Sequence, residues 1–255
     1  MANARTALAP VFAVLLAILP AFVTPALAAE EVDLLLVLAA DVSRSVDQPK
    51  FQLQRDGYAA AISDPRVLNA IAEGPNRRIA ICFLEWSGAG NQKVVIDWMM
   101  VSDAKSARVF GDQLAEAPRS FADRTSISGA LEFSMTQFAR APYSARRRTI
   151  DVSGDGTNNS GRDVRMVRDE VVAQGVTING LVILSERPLP WNPEHTNPPG
   201  GLPKYFEDNV VGGPRSFVIV AEDFKSFGEA LIKKLILEIA SLPQQQHAMR
   251  ALPIR

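Results

Sequence analysis

Short apolar runs alternate with amphipathic helical segments along most of this chain, and that alternation limits the folds open to it more than any other feature. The strand-like runs lie at residues 33–40, 78–86, 93–101, 148–153, 176–184 and 216–221. The second and third runs are joined by a turn-rich stretch and are predicted to pair as an antiparallel hairpin. Strands that alternate with helices imply right-handed crossovers. We therefore predict an α/β fold, doubly wound, with a mainly parallel six-stranded sheet and helices on both faces.

The helical segments carry recognisable start signals. Pro49 stands where the first turn of a helix tolerates proline, and Asp103 and Asp223 are placed to cap two further helices. Another helix is predicted from about Ser126, and one more over residues 163–174, where valines recur on one face.

Residues 1–28 have the organisation of a signal peptide. Arg5 precedes an apolar run over residues 7–23, and Ala26-Leu27-Ala28 supplies the small residues that a signal peptidase needs. An uncleaved membrane anchor is the alternative, because residues 7–29 are long enough to reach across a bilayer. Prolines within this stretch favour the signal peptide. We therefore expect an exported protein, either periplasmic or secreted.

Composition excludes several classes of protein for the remainder of the chain. With 27 Lys and Arg against 28 Asp and Glu, there is no basic excess to neutralise a nucleic acid. A hydrophobic content of 47% is enough for one substantial core, which we assign to a single domain at residues 32–241, followed by a flexible tail at residues 242–255. No later segment is apolar for long enough to span a membrane, so we expect no stable membrane insertion after signal cleavage.

Residues 187–214 interrupt the regular pattern. They contain seven prolines and four glycines, which indicates an irregular surface insertion rather than core structure. A loop of this length is often functional. Its aromatic residues Trp191, Tyr205 and Phe206 are candidates either for contacts with a partner or for packing on their own domain.

Small oxygen-bearing side chains follow the ends of neighbouring strand-like runs. Asp41, Ser43 and Ser45 come after the first run, Thr125 precedes a helix, and Asp155 follows the run at 148–153. Ligands of mainly parallel sheets bind at the carboxyl ends of the strands, so these oxygens are expected to converge. Two carboxylates with neutral hydroxyls match magnesium, calcium or manganese better than zinc or copper. The sequence therefore predicts a divalent metal site.

The order of these elements resembles the von Willebrand factor A family, whose metal-ion-dependent adhesion site (MIDAS) combines DxSxS, a threonine and an aspartate. The first element matches outright at residues 41–45, and residues 125–131 resemble the family's TxTxxAL stretch with serine as the second threonine. Asp155-Gly156 takes the place of the usual Thr-Asp-Gly, with Gly154 where threonine is common. The resemblance covers about residues 32–240.

The exported form with a proline-rich insertion also looks like the uncharacterised bacterial subfamily DUF1194. The wider family implies that Ser43, Ser45 and Thr125 supply direct oxygens to the ion, while Asp41 and Asp155 act largely through water. It also implies an open metal position, completed by an aspartate or glutamate of a partner protein. Magnesium is the expected ion, with calcium and manganese as alternatives.

Two other functions remain open at this stage. A metal-dependent hydrolase would need a general base, and the two histidines, His195 and His247, neighbour no motif, so we predict a binding module rather than an enzyme. A domain that kept the fold but lost the metal would be a structural interaction module. We expect Arg44, Arg119 and Arg124 on the rim of the site.

Two charged features have a structural interpretation. Arg146-Arg147-Arg148 precedes a buried strand and is interpreted as a solvated edge rather than a contact for an acidic surface or membrane. Glu85 ends the second apolar run, and we interpret it as a salt-bridge partner rather than a metal ligand.

Overall fold

The computed structural model describes residues 29–184 and 192–240. The predicted signal peptide, Trp191, His247 and the predicted tail lie outside the described residues. The strands are β1 (Glu30–Glu31), β2 (Leu35–Asp41), β3 (Ile79–Trp86), β4 (Gln92–Val101), β5 (Tyr143–Ser144), β6 (Arg148–Gly154), β7 (Thr177–Ile183) and β8 (Val218–Ala221). The helices are α1 (Gln48–Ile62), α2 (Pro65–Ala72), α3 (Ala104–Glu116), α4 (Ile127–Ala139), α5 (Val164–Ala173), α6 (Pro193–Thr196), α7 (Leu202–Asn209) and α8 (Phe227–Ile239).

The main sheet has six strands in the order β4-β3-β2-β6-β7-β8. Only β4 runs antiparallel, and it pairs with β3 as the predicted hairpin. Every residue of β2 and β3 is buried, as expected for central strands covered on both faces. The prediction of a doubly wound, mainly parallel six-stranded sheet is confirmed. The short strands β1 and β5 form a separate parallel pair.

Two hydrophobic clusters lie on opposite faces of the sheet. One contains Phe51, Tyr58, Phe110 and Phe227, and thus joins α1, α3 and α8 to the sheet. The other contains Leu131 among residues of α4, α5 and α7. Because alternate side chains of a strand point to opposite faces, the apolar runs of the central strands supply both clusters.

Local capping explains where several helices begin. Asp47 accepts the Lys50 N–H at the start of α1, and Asp103 forms a capping box with Ser106 at the start of α3. The predicted Asp223 cap is wrong. The helix begins at Phe227 with Ser226 at its N-cap, because Asp223 uses its carboxylate on the Ser226 N–H in the preceding turn.

The predicted insertion is more ordered than its composition indicated. Its described part contains α6 and α7, and Phe206 of α7 is fully buried. The expectation of an irregular surface loop is therefore wrong for this part. Pro193 and Pro203 stand in the first turns of these helices, where the missing N–H costs nothing, so two of the prolines that suggested a loop instead begin helices.

No helix within residues 29–184 or 192–240 combines the length and the apolar character needed to cross a membrane.

Candidate metal site at the strand ends

The candidate site lies at the carboxyl edge of the parallel sheet. β2 ends at Asp41 and its parallel neighbour β6 ends at Gly154, immediately before Asp155. Thr125 lies two residues before the first turn of α4. Adjacent parallel strands end at the same edge, so two distant parts of the chain bring their carboxylates together here.

Four of the five predicted ligands form a continuous chain of contacts. Asp41 Oδ1 accepts the Ser43 N–H at 2.7 Å, and Ser43 Oγ lies 3.1 Å from Ser45 Oγ. Ser45 Oγ donates to Asp155 Oδ1 at 2.5 Å. The alternation of DxSxS thus directs Ser45 towards Asp155, which lies 110 residues later in the sequence.

Thr125, the fifth predicted ligand, is held by the loop that follows β6. Its N–H donates to Asn159 Oδ1 at 3.0 Å, and its carbonyl accepts the Asn159 N–H at 2.9 Å. Asn158 Oδ1 accepts the Ser128 N–H at 3.1 Å. The sequence motifs did not single out these two asparagines, whose amides fasten this loop to the start of α4.

Two carboxylate oxygens at the centre of the cluster lack hydrogen bonds. Asp41 Oδ2 and Asp155 Oδ2 are both buried and have no hydrogen-bond partner. Asp155 Oδ2 forms an ion pair with Lys50 Nζ, and the two atoms are 4.0 Å apart. Buried carboxylate oxygens without partners carry a large desolvation cost, which a bound cation would offset.

The electrostatics of this pair indicate the same deficit of positive charge. Burial, followed by repulsion from Asp155, raises the pKa of Asp41 to about 8. Burial also raises the pKa of Asp155, against the effects of Ser45, Lys50 and His195. Two acids that resist ionisation side by side are a suitable set for a divalent cation, which favours their charged forms.

The donor set is dominated by hydroxyls. Among residues 29–184 and 192–240, no group of three or more His, Cys, Asp and Glu side chains is spaced to hold a metal ion. A cation here would therefore depend on Ser43, Ser45 and Thr125 for most of its protein oxygens. Such neutral oxygen donors suit a hard cation, and they fit magnesium better than a thiol-seeking metal.

Gly154 departs from the family's usual threonine, and the geometry gives a reason. A Cβ at this position would lie 3.2 Å from Asp41 Oδ2 and 3.6 Å from the Trp86 ring. Contact at 3.2 Å is tighter than most real Cβ contacts allow. Glycine leaves room for the Asp41 carboxylate against the indole.

His195 in α6 reaches the site from the insertion. The residue is only 5% exposed, and its Nε2 lies 3.2 Å from Thr125 Oγ1. A Cβ on Gly156 would lie 2.3 Å from that Nε2, so the imidazole packs directly on the backbone of this glycine. The prediction that neither histidine neighbours a motif is wrong for His195. A sequence separation of 70 residues from Thr125 gave no sign of the contact.

The imidazole is held from its other side as well. Thr157 Oγ1 lies 3.2 Å from His195 Nδ1, and the His195 carbonyl accepts the Thr157 N–H at 2.9 Å. Burial lowers the pKa of His195, and the Asp155 charge opposes that effect. A buried histidine with a lowered pKa is neutral near pH 7 and keeps one ring nitrogen with a free lone pair.

The remaining predicted contributors have different positions. Glu85 pairs with Arg55 and takes no part in the cluster. Arg119 donates to the carbonyls of Val42 and Ser43, so it supports the DxSxS loop from behind instead of standing on the rim. A cleft of about 210 Å³ opens over the site, lined by Arg44, Ser45, Asp123, Arg124, Thr125, Asn159, Asn192 and His195.

The chain matches one family of proteins by its sequence and several solved structures by its fold. A model of the family DUF1194, described as a protein of unknown function, matches residues 31–243. No curated protein matches the sequence.

Several solved structures share the fold at low sequence identity. Proximal thread matrix protein 1 from the mussel byssus, in a form with a zinc-occupied MIDAS motif, is 16% identical with a TM-score of 0.56, over 83% of this chain and 49% of that one. A von Willebrand factor type A protein from Catenulispora acidiphila is 15% identical with a TM-score of 0.53, over 82% and 43%. The pilus adhesin SpaC from Lactobacillus rhamnosus GG, in its open conformation, is 12% identical with a TM-score of 0.57, over 82% and 30%. This chain therefore spans about half or less of those proteins.

Proposed function

The chain belongs to the DUF1194 family and has the von Willebrand factor A fold, and from that premise we propose that it is a metal-ion-dependent protein-binding module of the cell envelope. Asp41, Ser43, Ser45, Thr125 and Asp155 would hold a divalent cation, most readily Mg²⁺. The bound ion would supply an electrophilic position for an oxygen ligand from another protein.

The observation that carries this proposal is the pair of buried oxygens without partners, Asp41 Oδ2 and Asp155 Oδ2. A folded protein seldom leaves such groups unsatisfied, and a cation between them would satisfy both. Ser45 Oγ donates to the other oxygen of Asp155, and Ser43 Oγ lies 3.1 Å from Ser45 Oγ, so the DxSxS hydroxyls lie close to this pair. A zinc-occupied MIDAS in the mussel protein of the same fold supports a divalent cation in general, without favouring one ion.

The proposed partner is a protein that presents an aspartate or glutamate. The cleft above the site is small enough for one side chain and is lined by Arg44 and Arg124, which would attract a carboxylate in competition with Asp123, 3.6 Å from Arg44. Adhesin and matrix-protein neighbours of the same fold support a role in recognition. The signal-like residues 1–28 support export, to the periplasm or outside the cell.

A thermal melt of the purified protein tests the metal site. After chelation, excess Mg²⁺ at about 100 times its Kd should stabilise the folded state by roughly 2.7 kcal/mol, because a ligand of the native state acts by mass action. That corresponds to a rise in Tm of about 5–10 °C for a domain of this size. Asp41→Ala should abolish the rise, and Asp112→Ala, an exposed aspartate on α3, should keep it. An unchanged Tm in the wild type, or an equal rise in Asp41→Ala, contradicts the proposal.

Metal-dependent hydrolysis is the second candidate, and the position of His195 favours it. The sequence showed no base near the motif. In the structure, however, the neutral imidazole of His195 lies 3.2 Å from Thr125 Oγ1. A buried ring nitrogen beside the ion would be placed to accept a proton from a bound water.

Turnover of esters, phosphates and peptides separates the two candidates. Hydrolysis requires a rate that depends on metal and falls at least about 100-fold in His195→Gln, the range typical for loss of a general base. A metal-dependent pull-down of a partner with no turnover supports binding alone.

A further inference from the structure

A cluster of arginines at the opposite end of the sheet is explained by none of the functions above. β6 begins at Arg148 and β7 at Thr177, so this end lies about 20 Å from the candidate metal site along strands of this length. A cavity of about 160 Å³ opens there. Its lining includes the side chains of Arg146, Arg147, Arg148 and Arg215.

None of these four arginines forms an ion pair with a carboxylate in the described structure. Arg147 donates to the carbonyls of Glu238 and Ile239 at the end of α8, and Arg148 donates to the Gln174 carbonyl at the end of α5. These acceptors are neutral, with only the partial negative charge of a helix C-terminus. Arg146 and Arg215 are exposed, and their side chains have neither a hydrogen bond nor an ion pair with any residue of 29–184 or 192–240.

The one acidic residue in the lining, Glu238, shares its cationic partner Lys234 with the buried Asp151, which lies 2.7 Å from the same Nζ. This buried group therefore adds at most one net negative charge against four guanidinium groups. Glu238 Oε1 accepts from Lys234 Nζ at 2.5 Å and from Asn179 Nδ2 at 2.8 Å, and Lys234 is itself fully buried. The cavity therefore keeps an excess of positive charge. Consistent with this, burial lowers the pKa of Arg147, and repulsion from Arg215 lowers it further.

The geometry points to a binding site for a small phosphate-class oxyanion, free or as part of a phosphate ester, in the cavity lined by Arg147 and Arg215. Guanidinium groups match tetrahedral oxyanions because each offers several N–H donors in a planar fork. The cavity is smaller than the roughly 300–1,000 Å³ of sites for drug-sized ligands, so it suits a single anionic group. The earlier interpretation of Arg146-Arg147-Arg148 as a solvated edge accounts for its exposure but omits the cavity and Arg215.

Inorganic phosphate is the first probe. Calorimetry and thermal melts of the full protein, in phosphate against chloride at equal ionic strength, should give one bound phosphate and a higher Tm. Arg215→Gln and Arg146→Gln should each weaken phosphate binding at least about tenfold, because each variant loses one charge-assisted contact, worth about 1.5–3 kcal/mol. Neither side chain has an internal partner, so both variants should fold. Arg108→Gln, an exposed arginine on α3, removes the same charge elsewhere and should bind normally.

Vesicles distinguish a free anion from a lipid headgroup. We would assign the site to a headgroup phosphate if the protein sediments with vesicles of phosphatidylcholine and phosphatidylglycerol. This sedimentation must also be lost in Arg215→Gln and reversed by free phosphate. Phosphate binding in solution without sedimentation assigns it to a soluble ligand. Equal phosphate affinity in wild type and Arg215→Gln, or no effect of phosphate beyond that of chloride, overturns the proposal. Because the variants leave Asp41 and Asp155 untouched, the Mg²⁺ melt reports on the metal site independently.

Discussion

At the scale of the residue, the partners available to a buried acidic side chain decide what it does, since Asp41, Glu85 and Asp155 are equally buried. Glu85 is the penultimate residue of β3, near enough to the candidate site to raise the question of metal ligation. Its Oε1 accepts from Arg55 Nη2 at 2.5 Å, and its Oε2 accepts the Ser120 N–H at 2.8 Å. Both of its oxygens are satisfied, in contrast to Asp41 and Asp155, so Glu85 has no need of a cation.

The pair between Arg55 and Glu85 makes a sharp prediction. Glu85→Ala should lower the free energy of unfolding by about 3–5 kcal/mol, because it leaves a guanidinium buried without its partner. Urea denaturation measures the loss. The exposed pair of Arg140 and Asp97 supplies the control, and Asp97→Ala should cost less than about 1 kcal/mol. A loss of similar size in both variants would mean that the buried pair contributes no more than a surface one.

At the scale of the element, α7 anchors the insertion that carries His195. Phe206 is fully buried and belongs to the same hydrophobic cluster as α4 and α5. A Cβ on Gly180 of β7 would lie 2.9 Å from its ring, so this strand is shaped to receive the phenyl group. Tyr205 beside it accepts the Asn158 N–H at 3.1 Å, which links the insertion to the loop after β6. Both aromatic residues thus pack on their own domain.

Phe206→Ala should therefore destabilise the whole domain and not merely release the insertion. Loss of a buried phenyl group costs about 3–5 kcal/mol through transfer and cavity terms. Chemical denaturation monitored by tryptophan fluorescence checks this value. Leu53→Ala, which removes a side chain 40% exposed on α1, is expected to change stability by less than about 1 kcal/mol. If Phe206→Ala were equally mild, α7 would contribute little to the fold.

At the scale of the whole molecule, buried acids set the response of stability to pH. Burial raises the pKa of Asp151 to about 7, Lys234 opposes that effect, and Glu238 adds to it. An acid whose pKa is higher in the folded state binds more protons there than when unfolded. The stability from this group is complete below its unfolded pKa near 3.9, and it is lost as the pH rises towards 7.

Asp151→Asn should reveal this linkage. Between pH 5 and 8 the variant should gain stability relative to the wild type by on the order of 2 kcal/mol, because an amide does not titrate. Urea denaturation of the chelated proteins at several pH values gives the difference. Asp41, Asp155 and His195 titrate in both proteins and cancel in the comparison. A constant difference between variant and wild type across this range would contradict the raised pKa.

The sequence by itself determined the sheet, the antiparallel hairpin and the motif positions, because these depend on local patterns. Continuous apolar runs identify buried strands, and DxSxS fixes its own oxygens by alternation over five residues. Right-handed crossovers between parallel strands predict helices on both faces, whereas the strand order came only from the structure. The start of α8 was misplaced because Asp223 caps a turn, and that choice depends on geometry beyond the pattern.

Only the tertiary structure decided what lies beside each motif. His195 contacts Thr125, Asn159 forms hydrogen bonds with the same threonine, and Arg215 lines the same cavity as Arg147. Each contact joins residues far apart in sequence, and no local pattern encodes which distant side chain fills a given space. The sequence thus determined the strand ends at which the candidate ligands lie. Packing decided that an imidazole stands at one end of the sheet and a group of arginines at the other.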